Sequence, residues 1–369
     1  MSMQVAYLDP SRCLSIGLVG PLPPPFGGMA NQTKQLSVLL QAEGFNIQII
    51  QTNAPYSWPW LENIKGLRAI FRLIPYLANL WKAAAQVDCL HVMANSGWSW
   101  QLYAAPAIWI AWLKKVPVIV NYRGGEAEQY FKTSLKWVAP TLNKATVVIV
   151  PSGFLKQVFH RFGFDTLVIP NIIDFKRFSF RERSWIQNSH SPQLVVTRNL
   201  EKIYGIDVAI RAVALLKSKF QHIKLFVAGS GPLLTELTEL VDELGVTGNI
   251  EFTGKLSPDQ VVNLYAKADI MLNPTHVDNM PNSVLEALAV GIPVVTTDVG
   301  GIPYIVTDKH TALLVDDNNP EMMAAAVEQL LMNADLYESL VSNGVKQAEN
   351  YAWDLVKLQW IELYNRMAA

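Results

Sequence analysis

Two carboxylates and two cations in this sequence have the spacing of a site. Asp278 and Glu286 are separated by seven residues in Asp278-Asn279-Met280-Pro281-Asn282-Ser283-Val284-Leu285-Glu286, and Arg198 precedes Lys202 by four. Carboxylates accept hydrogen bonds from paired hydroxyls, and guanidinium and ammonium groups neutralise phosphate oxygens. The set therefore suits a ligand that carries both diols and a diphosphate. Pro281 and the polar pair Asn282-Ser283 mark a helix start. The free N–H groups and positive dipole end of such a helix favour an anion. Glu286 falls about one turn into that helix and Asp278 in the loop before it. Taken singly, the acids read as ordinary residues of a helix N-terminus and the cations as a solvated loop pair; together they specify a site.

Glycines and one further cation join the list. Gly27-Gly28 closes the Pro-rich run Gly20-Pro21-Leu22-Pro23-Pro24-Pro25-Phe26 before a helix, and Gly229 and Gly231 open another. Glycine lets backbone approach a phosphate closely, although each pair also serves as a plain strand-to-helix turn. In Asn121-Tyr122-Arg123-Gly124-Gly125-Glu126, Arg123 suits a donor phosphate or an anionic acceptor. Glu126 suits the acceptor side, or a structural salt bridge with Arg123. His91 lies in an apolar strand and reads as a satisfied core histidine.

These residues need elements to position them. Short aliphatic runs at Leu14–Val19, Ile47–Gln51, Cys89–Met93, Val118–Asn121 and Thr146–Val150 alternate with helical patterns, the signature of a parallel α/β sheet. A second series runs through Gln193–Thr197, Lys224–Ala228, Ile250–Thr253, Ile270–Asn273, Pro293–Thr296 and Ala312–Val315. The fold class is α/β, with two doubly wound Rossmann-like domains facing a central cleft. Its expected boundaries are 1–173 for an acceptor-binding domain, 174–192 for a linker, 193–350 for a donor domain and 351–369 for a helix packing back on the N-terminal domain. The apolar stretch Gly97–Leu113 contains Gln101 and Pro106, is short for a membrane span and reads as a buried helix.

Composition removes several classes. Half of the 369 residues are apolar and 17% are charged, which excludes a disordered polymer. Thirty basic residues against thirty-one acidic ones give a net charge of −1, so no global field draws nucleic acid. Cys13 and Cys89 form no Cys-x-x-Cys pair; both read as core residues of a protein in a reducing cytosol. Met1-Ser2-Met3-Gln4-Val5 carries no secretory signal, so the expected location is cytoplasmic, extending to the inner face of the membrane. Tyr56-Ser57-Trp58-Pro59-Trp60, followed by Lys65, Arg68 and Arg72 before Lys82, combines Trp, apolar and basic residues as interfacial helices do, but also as a core-packed helix with a basic face does. The nicotinamide fingerprint and the common metal-dependent transferase, zinc hydrolase and serine hydrolase signatures do not occur.

The Asp278-to-Glu286 run, with Gly291-Ile292-Pro293, Ala228-Gly229-Ser230-Gly231-Pro232-Leu233 and Ile250-Glu251-Phe252-Thr253-Gly254, resembles glycosyltransferase family four (group 1 glycosyltransferases), retaining enzymes of the GT-B fold. The resemblance implies a nucleotide diphosphate sugar, UDP- or GDP-linked, as donor and co-substrate, no cofactor and no metal, and a saccharide or lipid-linked acceptor in cell-envelope polysaccharide synthesis. It implies that Asp278, Glu286, Arg198 and Lys202 are catalytic: Glu286 holds the ribose, Asp278 orients the sugar, and the cations stabilise the leaving diphosphate. Gly27, Gly28, Arg123, Gly229, Gly231, Asn279, Met280, Asn282 and Ser283 are implied on the donor side and Glu126 on the acceptor side. The chain has Asp278 where the family commonly has Glu, Pro281 for a nearby glycine, and Arg123 where relatives often have His. A sugar-nucleotide epimerase or phosphorylase of the same fold, or a non-catalytic nucleotide-sugar-binding subunit, shares these features.

Overall fold

A computed structural model describes residues 13–24, 27–55, 67–182, 185 and 191–368, without the side chains of 67–70 and 368. Residues 1–5, Pro25-Phe26, Tyr56–Trp60, Lys65 and the Arg68 side chain, singled out above, lie outside the described residues. The chain divides into two compact units: Met1–Asn171 with Asp354–Ala369, and Ile172–Trp353.

The first unit alternates β1 (Ser15–Gly20), α1 (Gly28–Ala42), β2 (Asn46–Gln51), α2 (Leu67–Ala83), β3 (Cys89–Ala94), α3 (Ala105–Lys114), β4 (Val118–Tyr122), α4 (Ala127–Leu142), β5 (Val147–Val150), α5 (Gly153–Arg161) and β6 (Leu167–Val168). Its strands are parallel in the order β2-β1-β3-β4-β5-β6. Central strands covered by helices on both faces are mostly apolar, and β3 and β4 are buried at every position, with His91 and Asn121 among their polar residues. Strand β6 has two residues, too few to show a period, and the sequence pattern misses it.

The second unit runs β7 (Gln193–Thr197), α6 (Ile206–Leu216), β8 (Lys224–Ala228), α7 (Leu234–Glu243), β9 (Ile250–Gly254), α8 (Pro258–Lys267), β10 (Ile270–Asn273), α9 (Asn282–Ala289), β11 (Val294–Thr297), β12 (Leu313–Val315), α10 (Pro320–Met332) and α11 (Ala334–Glu349). Its parallel sheet has the order β12-β11-β10-β7-β8-β9. Local chemistry sets several helix starts: Ser257 and Gln260 form a capping box around Pro258 at the start of α8, and Asn319 and Asn333 cap α10 and α11. Two α/β sheets of this kind establish the doubly wound class. In each, the strand order reverses once, between β1 and β3 and between β7 and β10. Chains leaving two such strands diverge, opening a crevice at their carboxyl ends.

Residues 174–192, read from the sequence as a linker, fall within the second unit. Phe178 is buried in its core and Trp185 Nε1 donates to the Leu330 carbonyl at 3.3 Å. The last helix, α12 (Trp353–Ala368), completes the first unit. Its fully buried Trp360 stacks on His91 with ring centroids 5.1 Å apart, and its Tyr364 hydroxyl lies 2.6 Å from His91 Nδ1. Asn121 Nδ2 donates to His91 Nε2 at 3.0 Å, which leaves the proton on Nδ1. Burial, with help from the Arg123 charge, lowers the imidazole to about 3, so His91 is a neutral core residue.

Two expectations need correcting. Cys89 is buried but Cys13 is exposed, its thiol donating to the Gly44 carbonyl at 2.9 Å. The Gly97–Leu113 stretch forms a π-helical turn (Trp100–Ala104) running into α3, and it is buried on one face only. Ala107, Ile108 and Ala111 face the core, whereas Trp109, Trp112 and Leu113 are exposed. Apolar composition alone does not distinguish a helix buried all round from one whose outer face is also apolar. No helix among the described residues is long and apolar enough to cross a membrane.

Candidate active site

Strands β7 and β10 lie side by side at the order reversal of the second sheet, and their carboxyl ends carry Arg198 and the loop to Asp278. The Arg198 guanidinium bridges the two. Its Nε donates to Asn273 Oδ1 at 3.0 Å, its Nη2 pairs with Asp278 Oδ2, and its plane lies over the Tyr204 ring at 5.0 Å. Asn273 is fully buried and donates onward to Thr296 Oγ1 at 2.9 Å on β11, so a side-chain ladder fixes the cation from below. The other Asp278 oxygen, Oδ1, accepts from the Asn279 N–H at 2.8 Å. Both charges of the pair are largely buried, with side-chain exposures of 12% and 14%.

The Asp278 loop is clamped from outside by a second loop that follows β11. The Gly301 N–H donates to the Asp278 carbonyl at 2.8 Å. A Cβ at Gly301 would lie 1.7 Å from the Asn279 carbonyl oxygen, and one at Gly300, where φ is +53, would lie 2.3 Å from that of Asp278. Only glycine permits this approach. Below the loop, Thr275 Oγ1 and Thr297 Oγ1 reach the carbonyls of Ile203 and Thr275 at 3.1 and 2.5 Å.

Helix α9 starts at Asn282, with Pro281 in its N-cap position and no side chain capping it. Ser283, in its first turn, is buried, and its Oγ has no hydrogen-bond partner among the described residues. An unanswered buried hydroxyl beside uncapped helix N–H groups is an arrangement that an anion would complete. Asn282 is half-buried, Asn279 is buried, and the Met280 side chain sits in the core, so any ligand contact from Met280 is through its backbone.

Glu286 lies one turn in and half-buried. Tyr265, buried on α8, connects it to the strand ends: the phenol lies 2.7 Å from Thr197 Oγ1, 3.4 Å from the Ser283 carbonyl and 3.5 Å from Glu286 Oε2. Desolvation raises the Glu286 carboxyl to about 7, against the opposing hydrogen bond from Tyr265 and the charges of Arg198 and Arg177. Between its ordinary value of 4.5 and 7 the folded chain keeps a proton that the unfolded chain has lost. Stability therefore falls as pH rises through that window. We expect Glu286→Gln, which cannot ionise, to be the more stable protein by on the order of 1–2 kcal/mol at about pH 8 and equal to the parent at about pH 4. Thermal unfolding of the two at both pH values checks this; identical melting at the higher pH would remove the burial cost.

The remaining residues occupy other positions. Lys202 is exposed on a 3-10 turn (Lys202–Tyr204), and its ammonium makes no hydrogen bond or ion pair among the described residues. Gly229 and Gly231 owe their identity to loop packing, since a Cβ there would lie 1.9 Å from the Arg198 carbonyl oxygen and 2.3 Å from that of Leu200. They thus hold the Arg198 loop.

Gly27, Gly28, Arg123 and Glu126 belong to the first unit. Gly27 is the N-cap of α1, and a Cβ at Gly27 or Gly28 would meet nothing within 4 Å among the described residues. Arg123 is held by Asn121 Oδ1 at 3.1 Å and by Asn171, and burial lowers its guanidinium to about 10. Glu126 is exposed at the start of α4. Sequence reasoning passed over Asn273, Tyr265 and Gly300-Gly301. Only the adjacent glycines carried a signal.

The glycosyl transferases group 1 family model matches residues 179–347 and the glycosyltransferase family 4 model residues 26–177. An uncharacterized glycosyltransferase of Methanocaldococcus jannaschii is 30% identical over 190 residues, 51% of this chain and 48% of that protein. D-inositol 3-phosphate glycosyltransferase of Corynebacterium urealyticum is 31% identical over 175 residues, 46% of this chain and 41% of its own length. The chain thus spans less than half the length of these curated relatives. Sucrose-phosphate synthase of Thermosynechococcus elongatus superposes with a TM-score of 0.78 at 19% identity, covering 96% of this chain and 99% of its own. HepE of Anabaena, solved in complex with UDP-glucose, gives 0.72 at 15% identity over 95% and 99%. At these identities the likeness is one of fold, and that fold is GT-B.

Proposed function

The chain belongs to the group 1, family-four glycosyltransferases, and from that premise we propose that it moves a sugar from a UDP- or GDP-sugar to a saccharide or lipid-linked acceptor, with retention, in cell-envelope polysaccharide synthesis. The observation that carries the reading is the Arg198–Asp278 pair, set at the strand-order reversal and next in sequence to the uncapped start of α9. In this reading the donor diphosphate takes the α9 N-terminus, with the Ser283 hydroxyl, Arg198 and the exposed Lys202 as donors. Asp278, already oriented by Arg198, receives sugar hydroxyls. Glu286 receives the ribose diol.

The bond between the anomeric carbon and the diphosphate oxygen breaks with its electron pair leaving on the phosphate. The acceptor oxygen forms its bond on the same face and gives its proton to that departing oxygen. Arg198 and Lys202 stabilise the charge that develops on the diphosphate, in a site built before the substrate arrives. The HepE complexes with UDP and with UDP-glucose make uridine donors the first probes.

The test is calorimetry of the purified chain with UDP, GDP, ADP and their common sugar conjugates, repeated on Glu286→Ala. A charge-assisted hydrogen bond contributes roughly 1.5–3 kcal/mol, so the variant should bind its donor about ten- to a hundredfold more weakly while keeping its circular dichroism. Equal donor affinity in parent and variant would place the ribose elsewhere.

A further inference from the structure

The outer surface of the first unit departs from what a folded protein shows to water. Among the described side chains of α2, the exposed ones are Phe71, Ile74, Pro75, Ala78, Asn79, Trp81 and Lys82, of which Asn79 and Lys82 are polar and only Lys82 is charged; Ile74 and Trp81 are 61% and 51% exposed. An amphipathic helix normally places its polar residues there. The surface continues onto α3, which packs beside α2 and exposes Trp112 and Leu113 at 46% and 60%, and onto α4, where Trp137 is 78% exposed. Trp109 Nε1 donates to Thr141 Oγ1 at 3.0 Å, which ties α3 to α4 one turn from Trp137.

Lysines are interleaved with these rings. Lys114 Nζ sits 4.2 Å from the Trp81 ring centroid, and Lys144 Nζ sits 4.1 Å from that of Trp112. Lys82, Lys115 and Lys136 are exposed on the same helices or directly after them. No Asp or Glu occurs in residues 67–83, 105–118 or 134–145. Glu128, at the start of α4, is engaged by Lys132 and Arg161. Among the described residues the face is therefore apolar, aromatic and cationic, with no acid of its own.

We infer that the α2–α3–α4 face of the first unit docks on a bilayer containing anionic lipid, its Trp and Leu side chains entering the interfacial zone while the lysines meet lipid phosphates. Indole rings and lysine stems are suited to that boundary, where one end of the side chain is apolar and the other wet. Charge complementarity selects the occupant. A two-fold contact with a second copy would set lysines against lysines with no carboxylate to answer them, whereas an anionic headgroup layer answers all of them. The inference is independent of the donor site.

The experiment is flotation of the full chain with phosphatidylcholine vesicles, with and without phosphatidylglycerol, with no nucleotide present and tryptophan emission recorded. Binding is expected with phosphatidylglycerol only, with a blue-shifted emission and release by salt. The double variant Lys114→Glu/Lys144→Glu should lower the partition coefficient at least about twentyfold, from roughly fivefold per lysine. Trp112→Ala should weaken binding and reduce the blue shift, to which Trp81 and Trp137 also contribute, and both variants should melt as the parent does. Failure to float with either vesicle, flotation that is insensitive to the lysines, or a dimer in light scattering that Trp112→Ala dissolves would each overturn the inference. Donor calorimetry on the same protein separates that result from a failure of the proposed activity.

Discussion

Arg198→Ala should lower kcat/KM about a hundred- to a thousandfold, the range seen when one preorganised donor to a developing negative charge is removed. Two losses combine. The leaving diphosphate is deprived of a cation, and Asp278, which faces the guanidinium in a pocket that is 14% exposed on its side, is left as a partly desolvated charge without its partner. Its loop then has one anchor fewer at the carboxyl ends of β7 and β10. Arg198→Lys separates the effects, because an ammonium keeps the charge but cannot hold Asn273 and Asp278 with one planar fork. It should fall between parent and Ala in rate and unfold at a lower temperature than the parent. Steady-state kinetics with the donor identified by calorimetry decides; an Arg198→Ala enzyme within about threefold of the parent would remove this residue from the charge-stabilising role.

Gly301→Ala is expected to be nearly as damaging although Gly301 contributes no side chain. Its Cβ would fall 1.7 Å from the Asn279 carbonyl oxygen, a backbone atom that yields only if the whole loop moves. The loop that moves carries Asp278, and displacement of a catalytic group by about 1 Å costs on the order of a hundredfold in rate. Overpacking of this kind also costs about 1–3 kcal/mol of stability. Gly248→Ala is the control, since a Cβ there meets nothing within 4 Å. Rates and melting temperatures of the two variants should diverge widely; a Gly301→Ala enzyme with parental kinetics would show that the clamp does not position Asp278.

Much of the architecture was legible because a parallel sheet covered on both faces writes itself as short apolar runs. The run from Ile270 to Asn273 was read at its observed bounds, and the helix start at Asn282 followed from Pro281 and the polar pair after it. Contacts that depend on which strands become neighbours were not legible. Arg198 and Asp278 were given separate tasks from their sequence positions, 80 residues apart, yet the adjacency of β7 and β10 makes them partners. Asn273 and Tyr265 read as ordinary members of an apolar strand and an amphipathic helix. Their roles arise from what stands opposite them. Gly229 and Gly231 show the converse: the types were visible, but the atom that each glycine makes room for is a protein carbonyl.

The return of α12 to the first unit bears on the order in which the protein is made. A ribosome releases β1 to β6 long before it releases Trp360 and Tyr364, and the whole second sheet is synthesised between them. Domains tend to fold as they emerge, N-terminal part first. Here the later unit has the contiguous sequence and needs no distant segment, so it can reach its native state while the earlier one still lacks the ring that stacks on His91 and the hydroxyl that meets its Nδ1. The nascent first sheet must wait with that apolar seat open until α12 is released and closes it.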